Sequence, residues 1–218
     1  MTLSITPHYK IPNIPKIFSQ MKIISWNLLR KIGASPYDVA YLINNHKPDL
    51  LLMQEATEEI NILPDLVGGY YSRFPLPGRI HGVACWSPYP FFSPPTICDL
   101  PRGTLIKRVA QLIDYGNFWI ANVHLSHGQI LNRKQLQALA GILPDHAAVL
   151  GDFNQIGPAL LHGFRDVGPN EPTHKMANLV PIRLDRCLIK GMECIASQVL
   201  SRFTSDHHPI MVILRPVL

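Results

Sequence analysis

Short apolar runs that break off at a polar residue recur along the chain. Ile23, Ile24 and Ser25 open the first, which leads to Trp26 and Asn27. Residues 50–53 form a second, ending at Gln54 and Glu55. Further runs cover 83–86, 105–115, 118–125, 147–150, 184–189, 195–200 and 210–214. Apolar runs of about four to eight residues bounded by turn residues predict buried strands. Gly116-Asn117 supplies a hairpin turn between two of them, and Lys190-Gly191 separates another two. Elsewhere the period changes. Val39, Ala40, Leu42 and Ile43 recur at helical spacing, and Pro36 after Ser35 suits a first helical position, so a helix is expected over residues 36–46. Residues 57–66 predict a second helix, with Glu58 and Glu59 in the first turn, where the dipole favours acids. Leu136, Leu139, Ala140 and Leu143 predict a third over 132–143.

Strands interleaved with helices imply a mixed α/β (α+β) layered domain. No internal repeat and no linker divides it, so residues 21–218 are expected to form one domain. Residues 1–20 carry Pro7, Pro12 and Pro15 and read as an extended arm, with Met21 an alternative start. Residues 74–101 hold seven prolines, which confines their ends to loops or edge strands.

Composition narrows this picture little. The 218 residues are 47% hydrophobic and 16% charged, which suits a sizeable core and excludes a disordered chain. The formal charge of +5 is compatible with an anionic partner such as nucleic acid. No apolar run approaches the roughly 18 residues of a membrane span, and the first residues lack an apolar leader core. A cytoplasmic monomer is the expectation. Cys85, Cys98, Cys187 and Cys194 form no C-x-x-C pair and are expected as buried reduced thiols.

The polar residues that end the apolar runs carry the chemistry. Asn27, Glu55, His124, Asp152 and Asn154 all occupy such ends, with His127 just beyond. That is a poor way to build a core and a good way to hold reacting groups at the lip of a sheet, where oxygen ligands suit a hard cation. In Gly151-Asp152-Phe153-Asn154, the acid and the amide share one strand face while Phe153 packs behind, although the same residues also suit a surface turn. Ser205-Asp206-His207-His208-Pro209 precedes the last apolar run. It offers a metal-binding oxygen and a donor to a phosphate; a tandem Asp-His-His also suits a transition metal. Asp185 sits inside an apolar strand and needs a partner, either Arg183 or Arg186, or a histidine that it orients. His124 alone would more commonly be a satisfied core residue.

In order, SWN, QE, VHL, GDFN, RLDR and SDHHPI resemble the endonuclease/exonuclease/phosphatase superfamily. Its members include deoxyribonuclease I, exonuclease III-type apurinic endonucleases, tyrosyl-DNA phosphodiesterase 2, neutral sphingomyelinases and inositol-polyphosphate 5-phosphatases. The resemblance spans residues 22–210. It implies a four-layer α/β sandwich, with two mainly antiparallel sheets face to face and helices outside. It implies a Mg²⁺-dependent phosphoric ester hydrolase, with Mn²⁺ as a substitute. Glu55, Asn27 and Asp206 resemble the metal-side residues. Asp152 and Asn154 resemble the pair that readies water and holds phosphate. His207 resembles the histidine on the scissile phosphate, Asp185 the acid that orients it, and His124 a proposed general acid. Exonuclease III-type members carry a tyrosine at that last position.

The substrate is less legible. Arg108, Arg133, Lys134 and Arg186 are candidate substrate contacts, with Arg102 and Lys107 nearby; scattered cations are equally the norm of a solvated surface. Trp86 and Tyr89 could stack a base, or Trp86 could pack in the core. A nuclease or DNA-end-processing phosphodiesterase is expected. The alternatives are a phosphatase or phosphodiesterase for a small molecule or lipid headgroup and, more remotely, an inactive binding module.

Overall fold

The computed structural model describes residues 19–30, 32–103, 107–176 and 179–217. The expected arm therefore lies outside the described residues up to residue 18, as do residues 105 and 106 of an expected strand. The element order is β1 (Met21–Asn27), α1 (Pro36–His46), β2 (Leu50–Ala56), a 3-10 turn (Glu58–Ile62), α2 (Leu63–Val67), β3 (Tyr70–Pro75), β4 (Gly82–Ser87), β5 (Thr96–Asp99), β6 (Val109–Asp114), β7 (Trp119–His124), α3 (Gln129–Ala140), β8 (Ala147–Asp152), β9 (Arg165–Asp166), β10 (His174–Met176), β11 (Val180–Ile182), β12 (Asp185–Lys190), β13 (Met192–Val199) and β14 (Ile210–Pro216).

The strands form two six-stranded sheets, β13-β14-β1-β2-β4-β3 and β5-β6-β7-β8-β12-β9, plus the small β10-β11 pair. Each large sheet has one parallel pair at its centre, β1–β2 or β7–β8, spanned by α1 or α3, and antiparallel neighbours outside it. This is the expected sandwich of two mainly antiparallel sheets.

Side-chain alternation assigns the layers. Met21 and Ile23 of β1, Leu50 and Leu52 of β2, Ile120 of β7, Ala148 and Leu150 of β8, and Cys187 and Ile189 of β12 share the core between the sheets. Ile24, Trp26, Leu51 and Met53 face the opposite way, onto Val39, Leu42 and Ile43 of α1. Ala121, Val123 and Val149 likewise meet Leu136 and Leu139 of α3. Fully burying one such aliphatic side chain is worth about 1.5–3 kcal/mol. A one-residue slip would send each set to the wrong layer, so register is strongly fixed.

Several elements depart from the sequence expectations for local reasons. The helix expected over 57–66 is instead a 3-10 turn followed by the short α2, with Pro64 in the first turn of α2. Proline has no N–H to continue the earlier ladder but tolerates a new first turn. α3 begins earlier than expected, at Gln129, and ends at Ala140. Lys190-Gly191 does separate two strands as expected, and because β12 lies in one sheet and β13 in the other, the chain changes sheets there. Gly191 has φ +61, and a Cβ on it would stand 2.3 Å from the Asp145 carbonyl oxygen. Gly116 does close the expected β6–β7 hairpin, its N–H bonded to Asp114 Oδ1 at 2.6 Å. Among the described residues no helix is long and apolar enough to cross a membrane. The four cysteines are free; Cys85 and Cys187 are buried, whereas Cys98 and Cys194 are half-buried.

Candidate active site

The alternation that builds the inner core also ends it. Along β1 the inward positions run Met21, Ile23, Ser25, Asn27. Along β2 they run Leu50, Leu52, Gln54, and along β7 Ile120, Asn122, His124. Along β8 they run Ala148, Leu150, Asp152. Each series starts apolar and ends polar at the same edge of the sandwich. Between core and edge lies a buried amide layer. Gln54 Nε2 donates to Ser25 Oγ (3.1 Å) and Asn122 Oδ1 (2.8 Å), while Asn122 Nδ2 donates to Gln111 Oε1 (3.1 Å) and to the Ala84 carbonyl (2.9 Å). These bonds tie the two sheets together directly beneath the polar edge, which keeps the strand ends in fixed relation.

Register then sets the neighbours. His124 lies opposite Asp152 across β7–β8, and Asp152 lies opposite Asp185 across β8–β12. Gly151 lets the β7 backbone come close: its φ is +145, and a Cβ would stand 1.9 Å from the Val123 carbonyl oxygen. Asp152 is buried and accepts from Asn27 Nδ2 (3.0 Å), Asn154 Nδ2 (3.1 Å) and Asn154 N–H (2.8 Å). Asn154 holds this pose with φ +48, and its Nδ2 also donates to the Leu125 carbonyl (3.1 Å). Asn132 of α3 fastens the same turn through the Phe153 carbonyl (2.6 Å). His124 Nε2 stands 3.4 Å from Asp152 Oδ2.

His207 is aimed by its surroundings. Its Nδ1 meets Asp185 Oδ2 at 2.8 Å, its N–H donates to Ser205 Oγ (3.1 Å), and its carbonyl accepts from Trp26 Nε1 (3.0 Å). Nε2 then faces Asp152 Oδ2 at 3.8 Å. Asp185 is held by its own N–H, which donates to Thr173 Oγ1 (3.0 Å). The question of its partner is thus answered. Arg183 and Arg186 both bind Asp166 (2.8 and 2.9 Å), and Asp185 takes the histidine.

Charge follows from this packing. Burial pushes Asp152 up to about 6; the nearby His207 charge and the bonds from Asn154 and Asn27 restrain that rise. Burial alone would lower His207, but Asp185 and Asp152 outweigh it and raise the ring to about 10. His124 is lowered well below the usual histidine value by burial, then by the Arg108 and His207 charges. The edge therefore holds one protonated and one neutral imidazole around a carboxylate.

Glu55 reaches the edge by a different route. Strict alternation would point it outward with Met53, but β2 bulges between Met53 and Ala56 and Glu55 has φ +57. Its Oε2 accepts from the Arg30 N–H (3.3 Å). Together with Asn27 it lines one side of a cleft of about 350 Å³, and Asp206 lines the cleft too. Asn27 turns its Nδ2 to Asp152, and Asp206 Oδ1 is buried with no hydrogen bond among the described residues. Oxygen donors with unspent capacity are what a hard divalent cation takes, so the donor set fits one.

The expected substrate contacts are scattered. Arg108 is buried beside the site, close enough for Asp152 and Glu55 to act on its charge. Arg133 and Lys134 are exposed on the early turns of α3, and Arg102 is exposed. Lys107 pairs with Asp99 at 2.8 Å. Arg186 is buried away from the cleft, where it holds Asp166 and the Gln155 carbonyl. Trp86 is buried and donates to the Gly68 carbonyl (2.8 Å), so it packs rather than stacks on a ligand; Tyr89 is exposed. His127 and His174 also line the cleft. His174, Thr173 and Arg30 carry no sequence signal. All three lie in loops or on the short β10, where no period marks a face.

The family described as Endonuclease/Exonuclease/phosphatase matches residues 24–207. No curated protein matches the chain in sequence. Among solved structures, a functionally unknown conserved protein from Enterococcus faecalis V583 is similar at 19% identity and TM-score 0.73, over 90% of this chain and 100% of that one. D. rerio TDP2, complexed with a single-strand DNA product, is similar at 16% identity and TM-score 0.72, over 90% of this chain and 99% of that one. A mannosyl-6-phosphatase from Bacteroides thetaiotaomicron VPI-5482 is similar at 15% identity and TM-score 0.70, over 89% and 99%.

Proposed function

The chain belongs to the endonuclease/exonuclease/phosphatase family, and from that membership we propose that it is a metal-dependent phosphodiesterase whose substrate is nucleic acid. The observation that carries the reading is the environment of Asp152. Three amide N–H groups fix its carboxylate, and two histidines of opposite protonation flank it.

Hydrolysis of a phosphodiester needs a readied water, neutralised charge on the phosphoryl oxygens and a proton for the leaving oxygen. Asp152 is the base: with its pKa near 6 it is ionised at neutral pH yet basic enough to take a proton from water. Asn154 and Asn27 hold the carboxylate while it does so. His207 carries a proton on Nε2 and presents it to a phosphoryl oxygen, with Asp185 fixing the ring through Nδ1. His124 is neutral, so its single N–H hydrogen-bonds the leaving oxygen without giving up its proton, and the protonated His207 is the group with a proton to supply. Glu55, Asn27 and Asp206 would hold a divalent cation, Mg²⁺ with Mn²⁺ as a substitute. When bound, that ion supplies Lewis-acid neutralisation of the phosphoryl charge.

Nucleic acid is preferred because cations lie on elements next to the cleft. Arg30 and Arg108 lie by Glu55, and Arg133 and Lys134 lie on α3, which begins just after His127. A second reading, a small phosphate ester, is favoured by the cleft itself: none of the described residues that line it is Lys or Arg. The similarity to a mannosyl-6-phosphatase is compatible with that reading.

The test is hydrolysis of bis-(p-nitrophenyl) phosphate and of labelled single- and double-stranded DNA, each with Mg²⁺, Mn²⁺ or EDTA. Metal-dependent cleavage of DNA is the expected result. Cleavage of the reporter but not of DNA moves the proposal to the small ester. No turnover of any substrate by folded protein overturns it.

A further inference from the structure

His174 stands out at the cleft because the chemistry above gives it no task. It lies on β10 and forms an isolated bridge with His207, whose ring centroid is 4.4 Å from its own. Its Nδ1 is 3.7 Å from Asp206 Oδ2, and potential ligand atoms of His174, Asp206 and His207 all lie within 4.8 Å of one another. His174 Nδ1 and Asp206 Oδ1 are both buried without a hydrogen bond among the described residues. Two imidazoles and one carboxylate are borderline donors, unlike the oxygen set of Glu55 and Asn27.

We propose that His174, Asp206 and His207 form a second metal site, selective for a transition metal such as Zn²⁺, whose occupancy silences the phosphoesterase. Zinc ligands stand about 2 Å from the ion, so two of them in a tetrahedron lie roughly 3.3 Å apart. The 3.7 Å gap between His174 and Asp206 closes with a small side-chain turn. His207 is already arranged as a ligand. Its Nδ1 is committed to Asp185, which leaves Nε2 for the ion in the carboxylate–histidine–metal order that fixes a ring and raises its basicity. Binding displaces the Nε2 proton to solvent and forms an Nε2–metal bond. The group that would otherwise meet the phosphate is thereby occupied. Asp206 is taken from the Mg²⁺ side at the same time. Three protein ligands leave a fourth position for water.

The silencing rests on the function proposed above; the binding does not, and the experiment separates them. Calorimetric titration with Zn²⁺ in excess Mg²⁺ reads binding without turnover. One Zn²⁺ per chain is expected. His174→Phe keeps a ring against His207 and removes the ligand atom; it should weaken Zn²⁺ by more than the roughly 10–100-fold that an outer hydrogen-bond partner is worth. Asp185→Asn should weaken it within that 10–100-fold range. In a parallel titration without Mg²⁺, so that no ion competes for Asp206, Glu55→Gln should leave Zn²⁺ affinity within about 3-fold, below even that outer-partner effect. Zn²⁺ affinity unchanged in His174→Phe, or lost in Glu55→Gln, overturns the site. Absence of any Zn²⁺ binding by the wild-type chain overturns it too. If Zn²⁺ binds as expected but leaves turnover of a cleaved substrate intact, the regulatory half falls.

Discussion

Asp152 and Asp185 lie opposite one another across the antiparallel pair β8–β12, both buried, and His207 stands between them. Its Nδ1 is 2.8 Å from Asp185 and its Nε2 3.8 Å from Asp152. Two buried carboxylates at neighbouring positions repel. One protonated imidazole placed against both offsets that repulsion and leaves Asp152 available as a base.

Asp152→Asn keeps the size of the side chain and removes its basicity. General-base catalysis is worth about 10²–10⁴-fold, and kcat should fall by that amount. In the wild type, kcat/KM should rise with pH through about 6 as Asp152 ionises. Asn27→Ala removes a donor that favours the ionised form, so the same limb should move to higher pH. A pH–rate profile at saturating metal checks both. A limb that stays in place in Asn27→Ala would mean that another group sets it.

Stability should depend on pH through His207. Its pKa in the folded chain is raised to about 10, above the roughly 6.5 of an unfolded histidine. The native state therefore binds the extra proton between those values. The contribution is complete below pH 6.5 and is lost as pH rises through 10. Asp185→Asn removes the main charged partner, and breaking a buried pair costs about 3–5 kcal/mol. For a chain of this size that is on the order of 10 °C in Tm. Melts in EDTA should show the gap between wild type and Asp185→Asn at its widest near pH 6 and closing towards pH 10. A gap independent of pH would show that Asp185 acts through packing instead.

These residues differ in how plainly the sequence announces them. Although His124 alone would more commonly be a satisfied core residue, Asp152 and His124 end apolar runs that read as buried strands, so their place at a strand end follows from the pattern. The order of the two sheets does not. Nothing local to Asp185 tells that Arg183 and Arg186 are spent on Asp166, because that pairing is made by β9, a strand of two residues with no period to read. His174 is hidden for the same reason. Its neighbours are polar, its strand is three residues long, and it meets His207 through a bridge between segments distant in sequence. Glu55 is a mixed case. Its type and position at the end of β2 are visible, but by alternation it should face outward with Met53, and only the bulge turns it inward.

That bulge has a cost that a substitution can expose. A non-glycine residue in the left-handed region carries roughly 1–2 kcal/mol of strain, and asparagine tolerates that region better than glutamate. Glu55→Asn should therefore hold or slightly raise Tm, because the lost pair with the half-exposed Arg30 is worth little. It should also shorten and neutralise a metal ligand and raise the Mg²⁺ concentration for half-maximal activity by at least ~10-fold. Melting curves and Mg²⁺ titrations on the same preparation decide the matter. A lower Tm with unchanged Mg²⁺ dependence would make Glu55 a structural residue.

The choice between nucleic acid and a small ester can be made without catalysis. Arg133 and Lys134 are exposed, and they sit on α3 next to the buried Asn132 that fastens the Phe153–Asn154 turn. A helix anchored so firmly to the site would hold phosphate contacts in a fixed place relative to Asp152. Each phosphate neutralised on duplex DNA contributes about −0.9 to the slope of log affinity against log salt. Arg133→Ala with Lys134→Ala should therefore weaken binding of an uncleaved duplex at low salt and flatten that slope by about 2. Hydrolysis of a small phosphate ester should be untouched, because neither side chain lines the cleft. The measurement is duplex affinity in EDTA at a series of salt concentrations. An unchanged slope would remove these cations from the binding surface. The cleft, with no Lys or Arg among the described residues that line it, would then stand as the whole of the recognition site, and the small ester would become the better reading.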